Sequence, residues 1–519
     1  MDIFTTENGA VRGFRASADV VAVLGIPYAA PPFGAHRFRE PLPPAAWTGV
    51  RDGTRFGPVA PQSAELPGAP VWSPGDEDIL TVNIWTPAPA SASALDGGRR
   101  LPVLVWIHGG AYTFGSSAQP DFDGTALARA GLVVVTLNYR LGFEGFGHVP
   151  AGGATPYPDN RGLLDQVAAL RWVRDNIAAF GGDPGNVTIA GQSSGAASAA
   201  CLMVMERARG LFHRAVLHSP ASPCYLPETA AATTREVAAA AGCPATPEGL
   251  TSSTPEALVA ASDRVVDRYR RDPASGSRHY DPSLYAPVLD GDVLPTDPLT
   301  GIAEGLTAHV DLLVCHTTEE YWLLDAVGSS AKVTTAGQLD RFAADFTLPG
   351  ELVAGYRAAM PDAPVLDVYL ALYGDLLFGE FGNRLAELHA RAGGRAFLSR
   401  FDRRRTGPDG VVRAWHCADI PFAFGNLDDE RLAFLIGGAP TAPDRELADR
   451  MVRAWADFAA TGDPGWPTVG DGSPAPGSAV PARVWRTEEK VSGDGPASGD
   501  RPAVPRALWA EVGLPLLHP

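Results

Sequence analysis

Lysine is almost absent from this chain. Of its 519 residues only Lys332 and Lys490 are lysines, so arginine supplies nearly all of the positive charge. Basic residues number 42 against 59 acidic ones, which gives a formal net charge of −17 at pH 7. Proteins that bind nucleic acids or anionic membrane surfaces need basic patches that attract phosphates. The composition therefore argues against both kinds of partner.

Long apolar runs and regularly spaced cysteines are also missing. No stretch of 18 or more apolar residues occurs, which argues against a transmembrane helix. Residues Met1 to Arg12 lack the basic start and apolar segment of a secretory signal. The 5 cysteines are odd in number and show no C-x-x-C spacing, which predicts reduced thiols rather than disulfides or a zinc site. We therefore expect a cytoplasmic protein with no membrane span and no bound metal.

Short apolar runs alternate with helix-like segments along the chain. Val103–Ile107, Leu132–Leu137 and Val187–Ala190 are aliphatic and continuous, as buried parallel strands are. Residues 162–177 place leucine and valine at helical spacing, and the alanine-rich segment 227–272 predicts short helices. This alternation predicts an α/β fold with a mostly parallel central sheet flanked by helices.

The pentapeptide GQSSG, residues Gly191–Gly195, fits the G-x-S-x-G pattern of a nucleophile elbow. The pattern alone is weak, but the strand-like run Val187–Ala190 ends directly before it and the helix-like segment Ala196–Met205 starts directly after it. A nucleophilic serine must project from a sharp turn, and glycines on both sides remove Cβ atoms that would clash there. Ser193 is therefore the candidate nucleophile.

A glycine-rich loop with the sequence HGGA, residues His108–Ala111, follows the strand-like run Val103–Ile107. Loops of this type supply oxyanion-binding N–H groups in α/β-hydrolases. One such donor can lower the barrier by about 3 kcal/mol. Alone the loop would be an ordinary glycine-rich turn; together with the Ser193 elbow it predicts an oxyanion hole.

A nucleophilic serine needs a histidine base, and the base needs a carboxylate that fixes its tautomer. In α/β-hydrolases the chain order is serine, acid, histidine. Among the 11 histidines, His389, His416 and His518 come late enough. His389 lies in a helix-like stretch and His518 lies beside the chain end, so His416, in a loop after a late strand, is the favoured base.

The acid is expected in the loop that follows the strand-like run Asp311–Cys315. Glu319, Glu320 and Asp325 all fit this position, and the pattern alone does not choose between them. His316 in the same loop is a rival base, although it precedes most of the available acids.

These ordered motifs resemble those of type-B carboxylesterases, the α/β-hydrolase family that includes para-nitrobenzyl esterases and cholinesterases. Beyond the elbow and the HGGA loop, the resemblance includes Gly25–Ala29, Glu77–Ile84, Asn138–Gly142, Phe180–Thr188 and Trp455–Ala459. It implies one α/β-hydrolase domain over residues 1–519. Helical insertions, roughly 222–300 and 325–392, would form an active-site gorge.

The resemblance also implies roles for particular residues. Ser193 matches the family's nucleophile, Glu320 its acid and His416 its base. Ser219 matches a serine that supports the triad, and the oxyanion hole is matched by Gly109, Gly110, Ala111 and Ser194. The family uses no metal or organic cofactor and acts on small-molecule esters through an acyl-enzyme.

Several positions depart from the family pattern. Gln192 stands where a glutamate usually precedes the nucleophile, so we expect a base that is protonated less readily and a cavity with less affinity for cations. Tyr321 and Pro220 each replace a glycine and could reshape the gorge. Ile79 replaces the cysteine of a disulfide that secreted members form.

The expected function is hydrolysis of carboxylic esters by a Ser-His-Glu triad. The same site could serve an acyltransferase, a cyclase, or an amide or carbamate hydrolase, and a non-catalytic binding protein is a remote alternative. Substrate preference depends on gorge-lining side chains whose facing the sequence does not give. The candidates are Tyr112, Phe114, Tyr321, Trp322 and Phe422.

Overall fold

The computed structural model describes residues 2–64, 69–88, 99–151, 157–280, 283–407, 410–470, 482–487 and 506–518. Its strands are, in chain order, β1 (Ile3–Thr6), β2 (Gly9–Arg12), β3 (Phe14–Arg15), β4 (Val20–Pro27), β5 (Val50–Asp52), β6 (Thr81–Pro87), β7 (Leu101–Ile107), β8 (Val133–Leu137), β9 (Gly182–Gln192), β10 (Arg214–His218), β11 (Cys224–Tyr225), β12 (Asp311–Thr317), β13 (Ala396–Phe401), β14 (Arg405–Gly407), β15 (Gly410–Val412), β16 (Arg483–Trp485) and β17 (Leu517–His518).

Ten of these strands form one sheet in the order β16-β13-β12-β10-β9-β7-β8-β6-β4-β3. Neighbouring strands from β16 to β8 are parallel, whereas β6, β4 and β3 add an antiparallel edge. The predicted mostly parallel sheet is confirmed. The predicted runs at 103–107 and 132–137 fall in β7 and β8, while β9 starts at Gly182, five residues before the predicted run.

The early start of β9 has a physical reason. Gly182 pairs with Leu101, and the ladder to β7 then shifts register before Val103 pairs with Val187. The glycine, proline and asparagine residues before Val187 disfavour a regular ladder, so they give no strand signal in the sequence. A bulge can nevertheless accommodate them in the strand.

Register brings the carboxyl ends of the central strands to one edge of the sheet. Ile107 of β7 pairs with Gly191 of β9, and Gln192 pairs with His218 of β10. His218 in turn pairs with Cys315 of β12. The segments that follow these four strands therefore emerge side by side, which is where α/β sheets carry their ligand sites.

Helices cover both faces of the sheet. They are α1 (Thr125–Arg129), α2 (Gly142–Phe146), α3 (Arg161–Asn176), α4 (Ser194–Val204), α5 (Pro227–Ala241), α6 (Pro247–Ser252), α7 (Pro255–Arg271), α8 (Pro298–Ala303), α9 (Trp322–Ala326), α10 (Ala336–Asp345), α11 (Gly350–Ala359), α12 (Val365–Gly374), α13 (Glu380–Arg391), α14 (Ile420–Phe424), α15 (Ala433–Ile436) and α16 (Ala442–Thr461). Among the described residues, none of these helices combines the length and apolar character needed to cross a bilayer.

Side chains of β7 alternate between two apolar clusters, one on each face of the sheet. Val103, Val105 and Ile107 pack into one cluster, and Leu104 and Trp106 pack into the other. A strand that is buried on both faces has no polar side, because successive side chains point in opposite directions. This double burial explains the continuous apolar runs seen in the sequence.

Most of the helices outside the alternating core fall between residues 227 and 391. The first group, α5 to α8, follows β11, and the second, α10 to α13, precedes β13. A π turn, Asp375–Gly379, joins α12 to α13 and carries Phe378 toward the carboxyl edge of the sheet. Such turns present a side chain that a regular helix would place elsewhere.

Candidate active site

Ser193 lies between β9 and α4, at the carboxyl edge of the sheet. Its φ of 56° and ψ of −124° are strained values for a residue with a side chain. Its N–H group donates to the carbonyl of His218 at 2.9 Å, which fixes the turn to the neighbouring strand. The side chain is half-buried at the start of a helix, so a substrate can reach the hydroxyl.

Glycine is required on both sides of this turn by close backbone contacts. A Cβ at Gly191 would lie 2.5 Å from the carbonyl carbon of Gly195, across the turn. A Cβ at Gly195 would lie 2.1 Å from the carbonyl oxygen of Ile107 on β7. Real Cβ atoms do not approach so closely, so the two glycines let the strand, the turn and the helix pack together.

The HGGA loop lies directly against the elbow. A Cβ at Gly109 would lie 2.5 Å from the Oε1 of Gln192, and Gly110 has a φ of 112° that favours glycine. The Oγ of Ser194 accepts the N–H of Tyr112 at 3.3 Å, which ties the loop to α4. Among the described residues, the N–H groups of Gly110 and Ala111 have no protein acceptor, so they are available to a substrate oxygen.

His416 and Glu320 form a buried pair at the same edge of the sheet. The Nδ1 of His416 lies 2.5 Å from the Oε2 of Glu320. The other carboxylate oxygen accepts the Ser219 hydroxyl and the Thr317 N–H, both at 2.7 Å. The Phe378 ring packs on the imidazole, with 4.3 Å between ring centroids. These contacts fix the imidazole plane and place its proton on Nδ1.

The neighbouring carboxylates have different partners. Glu319 pairs with Arg404 at 2.9 Å and Arg413 at 2.5 Å, and so joins the acid loop to the segment before His416. Asp325 pairs with Lys332 at the surface. Of the three acids that the sequence left open, the structure brings only Glu320 to His416.

The rival histidines also have other partners. The Nδ1 of His316 lies 3.1 Å from the Thr317 carbonyl, and burial lowers its pKa, with the Arg400 charge adding to the effect. The Nε2 of His389 donates to the Val310 carbonyl at 2.8 Å, so it is a core histidine. His518 belongs to β17.

Gln192 contacts His416 directly, which agrees with the expectation from the family resemblance that this residue lies near the candidate base. Its Nε2 lies 2.8 Å from the Nε2 of His416, and its side chain is buried. Because the ring proton is on Nδ1, the Gln192 amide donates to the free lone pair of the imidazole. The residue before Ser193 therefore bridges the oxyanion loop at Gly109 and the base.

The profile of the carboxylesterase family matches residues 2–474. The chain belongs to this family. It is 37% identical to the para-nitrobenzyl esterase of Bacillus subtilis over 475 residues, covering 89% of this chain and 90% of the relative. It is 36% identical to the phenmedipham hydrolase of Pseudarthrobacter oxydans over 467 residues, covering 87% of this chain and 90% of the relative.

Solved structures agree with this assignment. A carboxylesterase of Geobacillus stearothermophilus is 37% identical, with a TM-score of 0.79 over 94% of this chain and 96% of that one. A structure titled PNB esterase is 34% identical, with a TM-score of 0.78 over the same shares. The α/β-hydrolase fold is confirmed, and by family this carboxylesterase is a serine hydrolase of carboxylic esters.

Four of the five aromatic residues considered for the gorge of this carboxylesterase are buried, namely Tyr112, Tyr321, Trp322 and Phe422. Tyr321 packs on Tyr369 and Tyr373 in an aromatic cluster behind the acid loop. Tyr112 packs on Phe146, and Phe422 packs on Phe401. The sequence analysis missed the contact of Phe378 with His416. The apolar spacing around Phe378 indicates a helix but does not reveal the π turn that places its ring there.

His108 remains uncharged beside the elbow. Burial lowers its pKa to about 4, although a hydrogen bond to the Gly109 carbonyl partly opposes this shift. Its ring stacks on Tyr139 with 4.6 Å between centroids, and the Tyr139 hydroxyl donates to the His108 carbonyl at 2.8 Å. These contacts with Tyr139 hold the start of the loop whose N–H groups would bind the oxyanion.

Proposed function

We propose that this carboxylesterase hydrolyses small-molecule esters with Ser193 as nucleophile, His416 as base and Glu320 as acid. The observation that carries the proposal is the pair of contacts made by the imidazole. Its Nδ1 meets Glu320 at 2.5 Å, and its Nε2 lies 2.8 Å from Gln192, the residue directly before Ser193. A proton acceptor fixed by a carboxylate therefore lies next to the residue that precedes the half-buried Ser193.

In the acylation step, the Ser193 hydroxyl replaces the Gln192 amide at the Nε2 of His416 and gives up its proton as it attacks the ester carbonyl. The N–H groups of Gly110, Ala111 and Ser194 stabilise the negative oxygen of the tetrahedral intermediate. The imidazolium then protonates the leaving alcohol.

In the deacylation step, His416 takes a proton from water, which attacks the acyl-serine ester. Collapse of the second tetrahedral intermediate releases the carboxylic acid and returns the proton from His416 to Ser193. Glu320 stabilises the imidazolium in both steps, and Ser219 and the Thr317 N–H hold its other oxygen.

The test is substitution of the nucleophile. With a panel of nitrophenyl esters of graded acyl length, Ser193→Ala should lower kcat about 10⁴- to 10⁶-fold, because triad removals have such effects. Labelling by a fluorophosphonate probe should disappear in the same variant. Ser252→Ala, on the exposed face of α6, is the control and should retain both properties. Retention of most activity by Ser193→Ala would refute the assignment.

Amide and carbamate hydrolysis and acyl transfer are the alternatives for the same site. The relative named phenmedipham hydrolase gives a reason to vary the leaving group. Product analysis with anilides, aryl carbamates and added alcohols, each at matched leaving-group acidity, distinguishes these reactions. We expect the highest kcat/KM with simple aryl esters, and a higher value with a carbamate would revise the substrate class.

The expected domain organisation and cell location also enter this proposal. One domain with two helical insertions is supported by the sheet, to which both β3 near the start and β16 near the end contribute. A reducing, cytoplasmic location is supported by the cysteines, which form no disulfide among the described residues: Cys201, Cys224, Cys243, Cys315 and Cys417. Limited proteolysis and cell fractionation test these two statements.

A further inference from the structure

A second imidazole–carboxylate pair lies beneath the triad. The Nδ1 of His218, the last residue of β10, is 2.6 Å from the Oδ2 of Asp419. The indole Nε1 of Trp455, on α16, is 2.8 Å from the Nε2 of the same ring. All three side chains are buried, and the mechanism above uses none of them.

The protonation of His218 follows from its partners. An indole N–H can only donate, so the Nε2 of His218 must accept from Trp455. The ring proton is then on Nδ1 and is donated to Asp419. A second proton on His218 would bring two N–H donors face to face, so this imidazole stays neutral while Trp455 is in place.

The pair connects the two arms of the active site. The His218 carbonyl accepts the N–H of Ser193 at 2.9 Å. Asp419 lies three residues after His416 in a tight turn, in which Ala418 N–H donates to Trp415 and Ile420 N–H donates to Cys417, both at 3.1 Å. The hydrogen bond between His218 and Asp419 therefore joins β10, whose last carbonyl accepts the Ser193 N–H, to the turn that carries His416.

Asp419 is also a buried charge with few donors around it. Among the described residues its Oδ1 has no hydrogen-bond partner, and its Oδ2 meets only the neutral His218. Burial raises the pKa of the Cys315 thiol, and the Asp419 charge adds to this rise. A buried carboxylate held by one neutral donor is costly. The mechanism above forms a cation on His416, three residues before Asp419 in the chain.

We propose that Asp419, held by His218 and Trp455, is a positioning residue for His416. It fixes the turn that carries the base, and its charge stabilises the imidazolium that forms when Ser193 gives up its proton. This inference rests on the proposed function of the Ser193 site, and it adds residues that do not touch the substrate.

The charge at Asp419 acts among few other charged groups. Glu320 faces the Nδ1 of His416, neutral Gln192 faces its Nε2 and Phe378 covers the ring. Further titratable side chains on the surrounding segments are Cys417 on the same turn, Cys315 on β12, Glu319 after β12, Arg413 before the turn and Asp375 on the π turn. Of these, Cys315 senses the Asp419 charge. Glu319 is neutralised by its arginine partners, and Asp375 accepts from the Tyr356 hydroxyl.

The experiment compares Asp419→Asn with Asp419→Glu in the full-length enzyme. Asp419→Asn keeps an acceptor for the His218 N–H but removes the charge. We expect kcat for a nitrophenyl ester to fall about tenfold with KM within twofold. The acidic limb of the kcat/KM profile should move to lower pH, because the imidazolium loses stabilisation. Asp419→Glu restores the charge and should recover most of kcat and the original profile.

Asp311→Asn is the matched control. It removes a half-buried carboxylate from the other end of β12, where Asp311 pairs with arginines. It should leave kcat and the pH profile unchanged. A folded Asp419→Asn enzyme with unchanged kcat and an unchanged pH profile would overturn the proposal. That result would leave the Ser193→Ala test intact, so the two failures are distinguishable.

Trp455→Phe provides a second route if Asp419→Asn does not fold. It removes the donor that fixes the His218 tautomer but keeps both members of the pair. The proposal then expects a two- to fivefold lower kcat and the same direction of shift in the acidic limb. An unchanged profile in a folded Trp455→Phe enzyme would contradict it.

Discussion

The nucleophile elbow, residues 191–195, and the base turn, residues 413–420, meet at the same edge of the sheet but are held in different ways. The elbow is fixed by backbone packed against backbone, with glycine at the positions where a Cβ would overlap a carbonyl group. The base turn is fixed by side chains from distant parts of the chain, including Glu319 and His218.

This difference distinguishes structure that a short segment of sequence specifies from structure that depends on contacts between distant segments. Local packing leaves a short, readable motif, because only glycine and a small polar residue fit the turn. Side-chain contacts between distant elements leave no such motif, because many residue types can hold a turn of ordinary shape. The comparison also predicts that the elbow tolerates substitution less well than the base turn.

The largest effect is expected when the elbow backbone is displaced. Gly195→Ala would place a Cβ 2.1 Å from the Ile107 carbonyl oxygen, so the turn must open and Ser193 must move. We expect kcat to fall at least 10⁴-fold, since a misplacement of 1 Å can cost 10²-fold and displacement of the Ser194 N–H from the oxyanion can cost another 10²-fold or more. Gly337→Ala, a helical site with open space around it, is the control and should leave kcat and stability nearly unchanged. Nitrophenyl ester turnover and thermal unfolding measure both, and equal activity in the two variants would contradict the packing argument.

The next effect contrasts two adjacent acids of the base side. Under the proposed mechanism, Glu320→Gln removes the charge that stabilises the His416 imidazolium and should lower kcat about 10³- to 10⁴-fold, as loss of a triad carboxylate does. Glu319→Gln only weakens the contacts to Arg404 and Arg413. It should lower kcat much less than Glu320→Gln does, because the carboxylate beside the imidazole remains. Parallel steady-state kinetics check this, and equal losses would show that the two carboxylates share one role.

A smaller effect is expected at Gln192, where the two regions touch. Gln192→Glu replaces a donor to the Nε2 of His416 with a carboxylate that favours the protonated ring. The acidic limb of the kcat/KM profile should move up by about one pH unit, as a close carboxylate typically causes. Ala46→Glu adds the same charge at an exposed site and should not move the limb. A profile unchanged by Gln192→Glu would mean that the amide only fills space.

The last expected effect concerns stability rather than turnover, and it arises from His108 behind the elbow. Its pKa of about 4 lies below the ordinary value of 6.5. The unfolded chain therefore binds a proton that the folded protein does not, and the free energy of unfolding falls as pH drops from 6.5 toward 4. The loss amounts to about 3 kcal/mol. Urea unfolding at several pH values measures this dependence. The free energy of unfolding should decline less steeply with falling pH for His108→Gln than for the wild-type protein. Parallel plots of unfolding free energy against pH would contradict a lowered pKa for His108.

How much could be predicted from the sequence follows the same division. The strands, the elbow and the HGGA loop were readable, because each depends on burial or on a close backbone approach within a short segment. Glu320 was singled out from Glu319 and Asp325 only by family resemblance, because all three fit a loop after a strand. The structure distinguishes them by partners that lie far away in the chain.

The features that the sequence did not reveal depend on where side chains point and on contacts between distant residues. A sequence pattern does not give either of these. Tyr321 was a candidate gorge residue whose facing was left open, and in the structure it packs into an aromatic cluster with Tyr369 and Tyr373. Only the family resemblance indicated that Gln192 lies near His416, because the two residues are 224 positions apart. The π turn that brings Phe378 to the imidazole follows from one extra residue per turn, which helical periodicity does not reveal.

The opposite facing of Glu319 and Glu320 limits how this enzyme can be engineered. Deleting one residue just before them would place Tyr321 where Glu320 meets the imidazole, which would then lack its counter-ion. Adding one would place the inserted residue where Glu319 meets Arg404 and Arg413. Loop grafts that aim to change substrate range should therefore begin beyond Asp325. Changes in loop length there do not alter the positions of Glu319 and Glu320.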